Sequence, residues 1–311
     1  MHKASFIDIL LWLALAAMWS SSYAVIKVGV ATLEPSVLVL GRLLIGTLIV
    51  YGVMRWRGQT LSRQPAVWLS YVVTGLLGSA VPFLLISHGE QSVDSALASI
   101  LMGAAPVITM LLAAWLVPQE PWSWRTVLGV TGGLTGVAVL VGPTALAGLG
   151  AQLGGQLAIL AATLCYATST IYIRRFVTRP PLEMAAGSML AGTLFMGCSV
   201  AASGADLSRI TATGPSLGAI VYLGLFSTAL ANLLYFHLVP RLGATRMSQV
   251  NFAVPVGGTV LGVVLLGEAL TQQRLIALAI IILSIYLGTS KPERPVTARE
   301  NRPPKDRHPR P

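Results

Sequence analysis

The sequence predicts an all-α membrane protein of ten transmembrane helices in two inverted five-helix repeats, with both termini in the cytoplasm. Three observations predict it. Hydrophobic residues make up 54% of the 311 positions and charged residues only 10%, whereas a soluble domain carries about 25% charged residues. Apolar stretches long enough for a helix to cross the hydrocarbon core recur ten times. The second half of the chain also echoes the first, residue type by residue type.

The predicted spans lie near 7–30, 36–54, 67–87, 93–117, 124–142, 153–173, 184–202, 216–238, 245–266 and 273–290, each bounded by polar residues or by proline and glycine. The stretch opening the chain follows a basic residue. It is too long for a signal-peptide core and lacks a small-residue cleavage pattern, so it reads as the first span. The fifth span is short and glycine-rich, VLGVTGGLTGVAVLVG. Beyond Ser290 the chain becomes KPERPVTARENRPPKDRHPRP, proline-rich and charged. Such a segment buries too little apolar surface to fold and is expected to be a disordered basic cytoplasmic tail. The resulting division is 1–144 for the first repeat, 145–290 for the second and 291–311 for the tail.

Orientation follows from Lys and Arg, which are retained on the cytoplasmic side of short loops. With the N-terminus inside, the cytoplasmic segments hold Lys3, Arg55, Arg57, Arg63, Arg125, Arg174, Arg175, Arg179, Arg241, Arg246 and every basic residue of the tail. The opposite side holds only Lys27, Arg209 and Arg274. Trp56, Trp68, Trp115, Trp122 and Trp124 fall at the cytoplasmic ends of the predicted helices, at headgroup level.

The repeat is carried by His88 and His237, Gly75 and Gly224, Pro106 and Pro255, and Arg125 and Arg274, all separated by the same offset. The pattern GxxLxGTL also occurs twice, from Gly41 to Leu48 and from Gly187 to Leu194. Five helices per copy is an odd number, so the second copy enters the membrane from the opposite side. Inverted repeats suit carriers, because two halves of like structure and opposite orientation can exchange conformations around a midplane site.

Several chemistries are excluded or disfavoured. The formal charge of +10 sits in short loops and the tail, not on a folded basic face, so no nucleic-acid partner is expected. Cys165 and Cys198 lie within apolar runs without metal-ligand spacing and read as packing residues. There is no GxxxxGK[ST] loop and no HExxH motif, so neither ATP hydrolysis, a metal nor a cofactor is expected. The rarity of buried cations argues against phosphorylated solutes.

Residues positioned to touch a small solute are Trp19, Ser22 and Tyr23 in the first span, His88 at the outer end of the third, Tyr166 and Ser169 in the sixth, and Asn232 and Tyr235 in the eighth. Trp19 and Tyr23 share a helical face, and mid-membrane indole and phenol groups need polar partners. Helix packing with hydroxyls as interhelical glue is the competing explanation. A carboxamide at Asn232, Gln249 or Asn251 must likewise find a partner if buried. His88 stands beside Glu90 and Asp94, where a histidine can titrate near neutral pH. Lys27 is expected to snorkel to the outer surface. Arg42 is too costly to face lipid and is expected to pair with Glu34 or with helix-end carbonyls. Pro82, Pro106 and Pro255 are expected to kink their helices.

The chain resembles the EamA family of the drug/metabolite transporter superfamily over about residues 7–290. The likeness rests on the five-plus-five repeat, MWSSSYAVIK in the first span, GRLLIGTL with Arg42 in the second, and the glutamates Glu120 in VPQE and Glu268 in LLGEAL. The second half departs from this pattern at Ser188, which stands opposite Arg42. The resemblance implies a proton- or gradient-linked carrier of small metabolites, similar to the YddG-type exporters of aromatic and neutral amino acids. The expected partners are therefore a small neutral or zwitterionic solute and the lipid of a bacterial-type inner membrane. A membrane-embedded enzyme acting on a lipid-linked substrate is the alternative, but no converging acids, nucleophiles or metal ligands support it.

Overall fold

The helices start where the sequence supplies a start signal. Ser5 and Asp8 form a capping box at the first helix, with Ile7 N donating to Ser5 Oγ at 3.4 Å and Ser5 N donating to Asp8 Oδ2 at 3.2 Å. Pro35, Pro65 and Pro181 each open a helix, where the missing N–H would have had no partner anyway. In the computed structural model, which describes residues 5–117, 123–147, 151–203 and 212–289, these signals delimit α1 (Phe6–Val30), α2 (Pro35–Trp56), α3 (Pro65–Gly89), α4 (Ser95–Leu116), α5 (Trp124–Ala147), α6 (Ala151–Phe176), α7 (Pro181–Ala202), α8 (Gly214–Gly243), α9 (Val250–Leu266) and α10 (Gln272–Thr289). No strand occurs among the described residues. Eight helices are long and apolar enough to cross a membrane, and α9 and α10 are shorter apolar helices. Glu120, Trp122, Arg209 and the tail lie outside the described residues.

Three helices are irregular. α3 carries a π-helical turn over Leu76–Ala80, just before Pro82. α8 carries a longer one over Leu223–Leu230. α4 is broken between Met102 and Ala105, immediately before Pro106, because proline cannot donate to the preceding turn and clashes with it. Pro255, by contrast, sits inside a continuous α9. One π-helical turn directly follows Gly75 and the other contains its match, Gly224. Where Gly75 lies against the Ser188 carbonyl of α7, Gly224 lies against α2, a built Cβ meeting Ile45 at 2.6 Å and the Arg42 carbonyl at 3.1 Å. Arg42 and Ser188 occupy equivalent places in the two GxxLxGTL motifs, so each half's glycine seats on the other half's motif. The motifs themselves meet through Thr47 and Thr193, whose hydroxyls are 2.7 Å apart.

Among the described residues α5 and α10 form the most extensively packed helix pair. The glycines that make α5 look weak as a span line its contact face: Gly129 lies against Gly288 and the Ser284 carbonyl, Gly132 against Ser284, and Gly136 against Ile281. Small residues let two helix backbones approach in lipid, where no hydrophobic force drives them together. Gly129→Leu is therefore expected to lose about 1–3 kcal/mol of stability through overpacking against unyielding backbone. Gly52→Leu, at a position with open space around it, is its control. Thermal unfolding of the two purified variants in detergent checks the difference.

The surface is apolar, with Leu48, Leu69, Leu194 and Leu283 exposed. Trp56, Trp115 and Trp124 are exposed as well, in keeping with the expected interfacial belt. Trp68 instead bonds the Ser62 carbonyl through Nε1 at 2.9 Å. Cys198 is exposed and Cys165 half-buried, so Cys198 is not a packing residue of the interior.

Candidate functional site

The centre of the bundle is organised by Arg42. Its side chain leaves α2 and is buried to 5% exposure. Nε donates to Thr228 Oγ1 in the π-helical turn of α8 at 2.7 Å, and the guanidinium carbon lies 3.7 Å from the centroid of the Phe83 ring on α3. The expected pairing with Glu34 is not formed. Glu34 instead stands at the N-cap position of α2 without a side-chain capping bond and accepts from Ser36 Oγ at 3.4 Å. An arginine in mid-membrane costs about 2.5–3.5 kcal/mol by insertion scales. A desolvated cation–π contact is worth about 2 kcal/mol, and a hydrogen bond to a charged group about 1.5–3 kcal/mol, so the two together offset that cost.

They do not satisfy the guanidinium. It carries five N–H donors, and among the described residues only Nε has a protein acceptor. The remaining donors require water or an anionic group. Tyr23 on α1, Tyr166 on α6 and Glu90 at the α3–α4 corner all lie within electrostatic reach of this cation. Helices from both halves thus converge on one buried charge.

A second aromatic group lies alongside. The rings of Trp19 on α1 and Tyr235 on α8 are 5.8 Å apart at 38°, and Tyr235 meets Phe236 edge-on. Asn232 joins this group to Arg42, because its Nδ2 donates at 2.7 Å to the backbone carbonyl of Thr228, the residue whose hydroxyl holds Arg42. Ser227 Oγ donates to the Met18 carbonyl at 2.9 Å, and Ser21 shares a 2.8 Å hydrogen bond with Tyr222. α1 and α8 are therefore tied together beside the aromatic pair.

Of the sequence-predicted residues, Tyr23 and Tyr166 lie within electrostatic reach of Arg42, Asn232 bonds to the residue that holds it, and Trp19 and Tyr235 pair with each other. Ser22 does not offer its hydroxyl to a solute, since it donates to the Trp19 carbonyl of its own helix at 2.6 Å. Ser169 is buried against Gly78 in the π-helical turn of α3 and acts in helix packing. His88 is exposed at the end of α3 and stands outside the group, as does His237 on α8. Gln249 and Asn251 are exposed too, so neither is a buried carboxamide seeking a partner.

The α3–α4 corner is a polar cluster of its own. Lys27 donates through Nζ to the carbonyls of Glu90 at 2.6 Å and Val93 at 2.8 Å. Glu268, after α9, accepts from Ser95 N and Ala96 N at 2.7 Å each and so closes the N-terminus of α4. Arg274 of α10 pairs with Asp94 at 2.5 Å. The other end of the bundle has its own ties, Tyr71 and Arg179 both reaching Glu183, and Asp8 pairing with Arg241 at 3.1 Å.

The fold and its centre define a polytopic helical membrane protein whose polar contacts converge in the interior, the arrangement of a carrier. The sequence profile of the EamA-like transporter family matches residues 6–142 and again residues 153–289, and the chain belongs to that family. It is a transporter. The chain is 27% identical over 297 residues to the uncharacterized inner membrane transporter YedA of Escherichia coli K12, covering 92% of each chain. It is 27% identical over 292 residues to a probable amino-acid metabolite efflux pump of Salmonella typhimurium, covering 90% of this chain and 94% of the relative. A solved crystal structure matches 92% of this chain and 98% of its own at a TM-score of 0.65 and 23% identity, which is a likeness of fold.

Proposed function

We propose that the protein moves small zwitterionic metabolites, amino acids foremost, across a bacterial-type inner membrane by alternating access of two inverted repeats, residues 1–144 and 145–290, with both termini cytoplasmic. The observation that carries the reading is Arg42, a buried guanidinium with uncommitted donors framed by Phe83, Tyr23 and Tyr166. A guanidinium fork matches a carboxylate, and aromatic neighbours favour the apolar remainder of an amino acid. A single buried cation suits a monoanionic carboxylate better than a phosphate dianion. Export rather than uptake is favoured by the likeness to the Salmonella relative, a probable amino-acid metabolite efflux pump. The expectation of a pathway without strong buried charge is revised by Arg42, and zwitterions thereby take precedence over wholly neutral solutes.

Flux of labelled neutral amino acids from proteoliposomes tests the reading. Protein-dependent efflux of at least one of them is expected, and flux confined to an unrelated solute class would overturn it. Within that assay Trp19→Ala is expected to slow transport by several-fold at equal protein abundance, because it removes one of the two rings of the aromatic pair. Normal transport by this variant would make Trp19 a packing residue.

A further inference from the structure

Glu90 is fully buried, and neither of its carboxylate oxygens has a hydrogen-bond partner. The proposed solute site has no use for it. Lys27, the nearest cation by hydrogen bonding, is committed to the backbone carbonyls of Glu90 and Val93 rather than to the carboxylate. Leaving a buried carboxylate ionised without such partners is far costlier than leaving it neutral. We propose that Glu90 is a proton-binding site, occupied when the α3–α4 corner is closed and emptied when the corner opens to water.

The surroundings support a proton rather than a metal cation. A sodium or calcium ion needs several converging oxygens, and no group of three or more His, Cys, Asp or Glu side chains able to hold a metal exists among the described residues. A proton needs one oxygen. The charged and titratable groups facing Glu90 are Lys27 and Tyr23 from α1, Arg42 from α2 and Glu268 from the segment after α9. Its own end of α3 adds the exposed His88, and the start of α4 adds Asp94, which is paired with Arg274. α6 packs here through Gly155 against the Gly89 carbonyl and brings no Lys, Arg, Asp, Glu or His to the corner. Glu90 lies one residue beyond the end of α3, and burial pushes its carboxyl well above the usual carboxylate range; Lys27 opposes that shift, Glu268 adds to it and Arg42 opposes it.

The step is simple. One proton adds to one carboxylate oxygen and forms an O–H bond, and no other bond changes. Ionisation has to wait for water to reach the corner, which requires the Lys27 bridge from α1 to the corner carbonyls to part. The proton is thus released in step with an opening of the bundle. That same opening would give access to Arg42, which lies within electrostatic reach of Glu90, so proton and solute movements become linked.

Infrared difference spectroscopy of the full chain in lipid nanodiscs, between acidic and alkaline baths, tests the site without any solute. A protonated carboxyl band is expected to persist toward neutral pH, to vanish in Glu90→Gln and to remain in Glu183→Gln, which alters a buried carboxylate at the other end of the bundle. A band absent from the wild type, or unchanged in Glu90→Gln, would overturn the proposal, as would a response to sodium at fixed pH in place of a response to protons. The sign for stability follows as well. The folded state holds the proton more tightly than the unfolded chain, so stability falls as pH rises from the unfolded carboxyl pKa toward the raised folded one. Glu90→Gln should flatten that slope.

The second arm rests on the carrier reading. For an amino acid that the wild type moves, a pH gradient should drive net accumulation in wild-type proteoliposomes. Glu90→Gln should lose that accumulation by at least tenfold while still exchanging labelled for unlabelled solute. Undiminished gradient-driven accumulation in Glu90→Gln would overturn the proposal. If no amino acid moves at all, the carrier reading fails, and the infrared result still decides the proton site.

Discussion

Replacing Arg42 with methionine is expected to lower amino-acid flux by at least about tenfold, and as much as about a hundredfold, while leaving the protein folded. The range is the loss of one charge-assisted hydrogen bond to a solute carboxylate, about 1.5–3 kcal/mol, at about 1.4 kcal/mol per decade. Stability should change little. The variant sheds the cost of a mid-membrane charge, about 2.5–3.5 kcal/mol, and loses the stack on Phe83 and the bond to Thr228, which together offset about that much. Arg42→Lys should not restore flux, because an ammonium cannot hold Thr228 at Nε, lie flat on Phe83 and still present a fork to a carboxylate. Proteoliposome flux and thermal unfolding on the same preparations check both halves. Normal flux in Arg42→Met would reduce Arg42 to a structural residue and remove the main support for a carboxylate-bearing solute.

The asymmetry of Arg42 bears on how the two halves work. Its counterpart in the second GxxLxGTL motif is Ser188, yet both positions receive a matched glycine from the facing helix, Gly224 and Gly75. The scaffold is duplicated and the charge is not. Under the proposed alternating access, a repeated scaffold would supply two interchangeable packings, and Arg42 would let one site serve both. The π-helical turns reinforce this, since such turns in otherwise regular helices are frequent at functional sites. The one in α8 supplies Thr228, whose hydroxyl accepts from Arg42 and whose carbonyl accepts from Asn232.

The spans were legible because apolar length is a one-dimensional property. Prolines marked the starts of α2, α3 and α7, and Pro106 marked the break in α4. Pro255, expected like Pro106 to kink its helix, lies within a helix that runs through it unbroken. The aromatic centre was legible in part. Trp19, Tyr23, Tyr166 and Tyr235 stood out as polar-tipped rings at membrane depth, where a partner is obligatory. Who those partners are is a tertiary fact. Arg42 invited pairing with nearby Glu34, yet its contacts come from Phe83 and from Thr228 in the other half. The corner misled for a different reason. His88 and Glu90 are two positions apart, which on a helix of 3.6 residues per turn sets them on nearly opposite sides; the exposed one drew attention and the buried one carried the unpartnered carboxyl.

Glu268→Gln is expected to open the corner that Glu90 occupies. Glu268 holds the first two amides of α4, Ser95 N and Ala96 N, at 2.7 Å each. Both bonds are charge-assisted, each worth about 1.5–3 kcal/mol, and the anion also complements the positive end of the helix dipole by about 0.3–1 kcal/mol. A carboxamide keeps one acceptor oxygen and brings a donor where two donors already point. The closed arrangement should then lose about 3 kcal/mol, a shift of about a hundredfold toward an open corner. Arg274→Gln removes the ion pair with Asp94, a partly exposed contact worth at most about 1 kcal/mol, and an exposed bond to the Ala269 carbonyl, but leaves both α4 amides held by Glu268, and should shift the equilibrium far less. The measurement is the rate at which a membrane-impermeant maleimide reaches a cysteine placed at Ser92, with Cys165 and Cys198 replaced by serine. Labelling from the side assigned to the outside should accelerate strongly with Glu268→Gln and weakly with Arg274→Gln. Equal rates in all three backgrounds would show that Glu268 only caps α4 and does not hold the transporter closed.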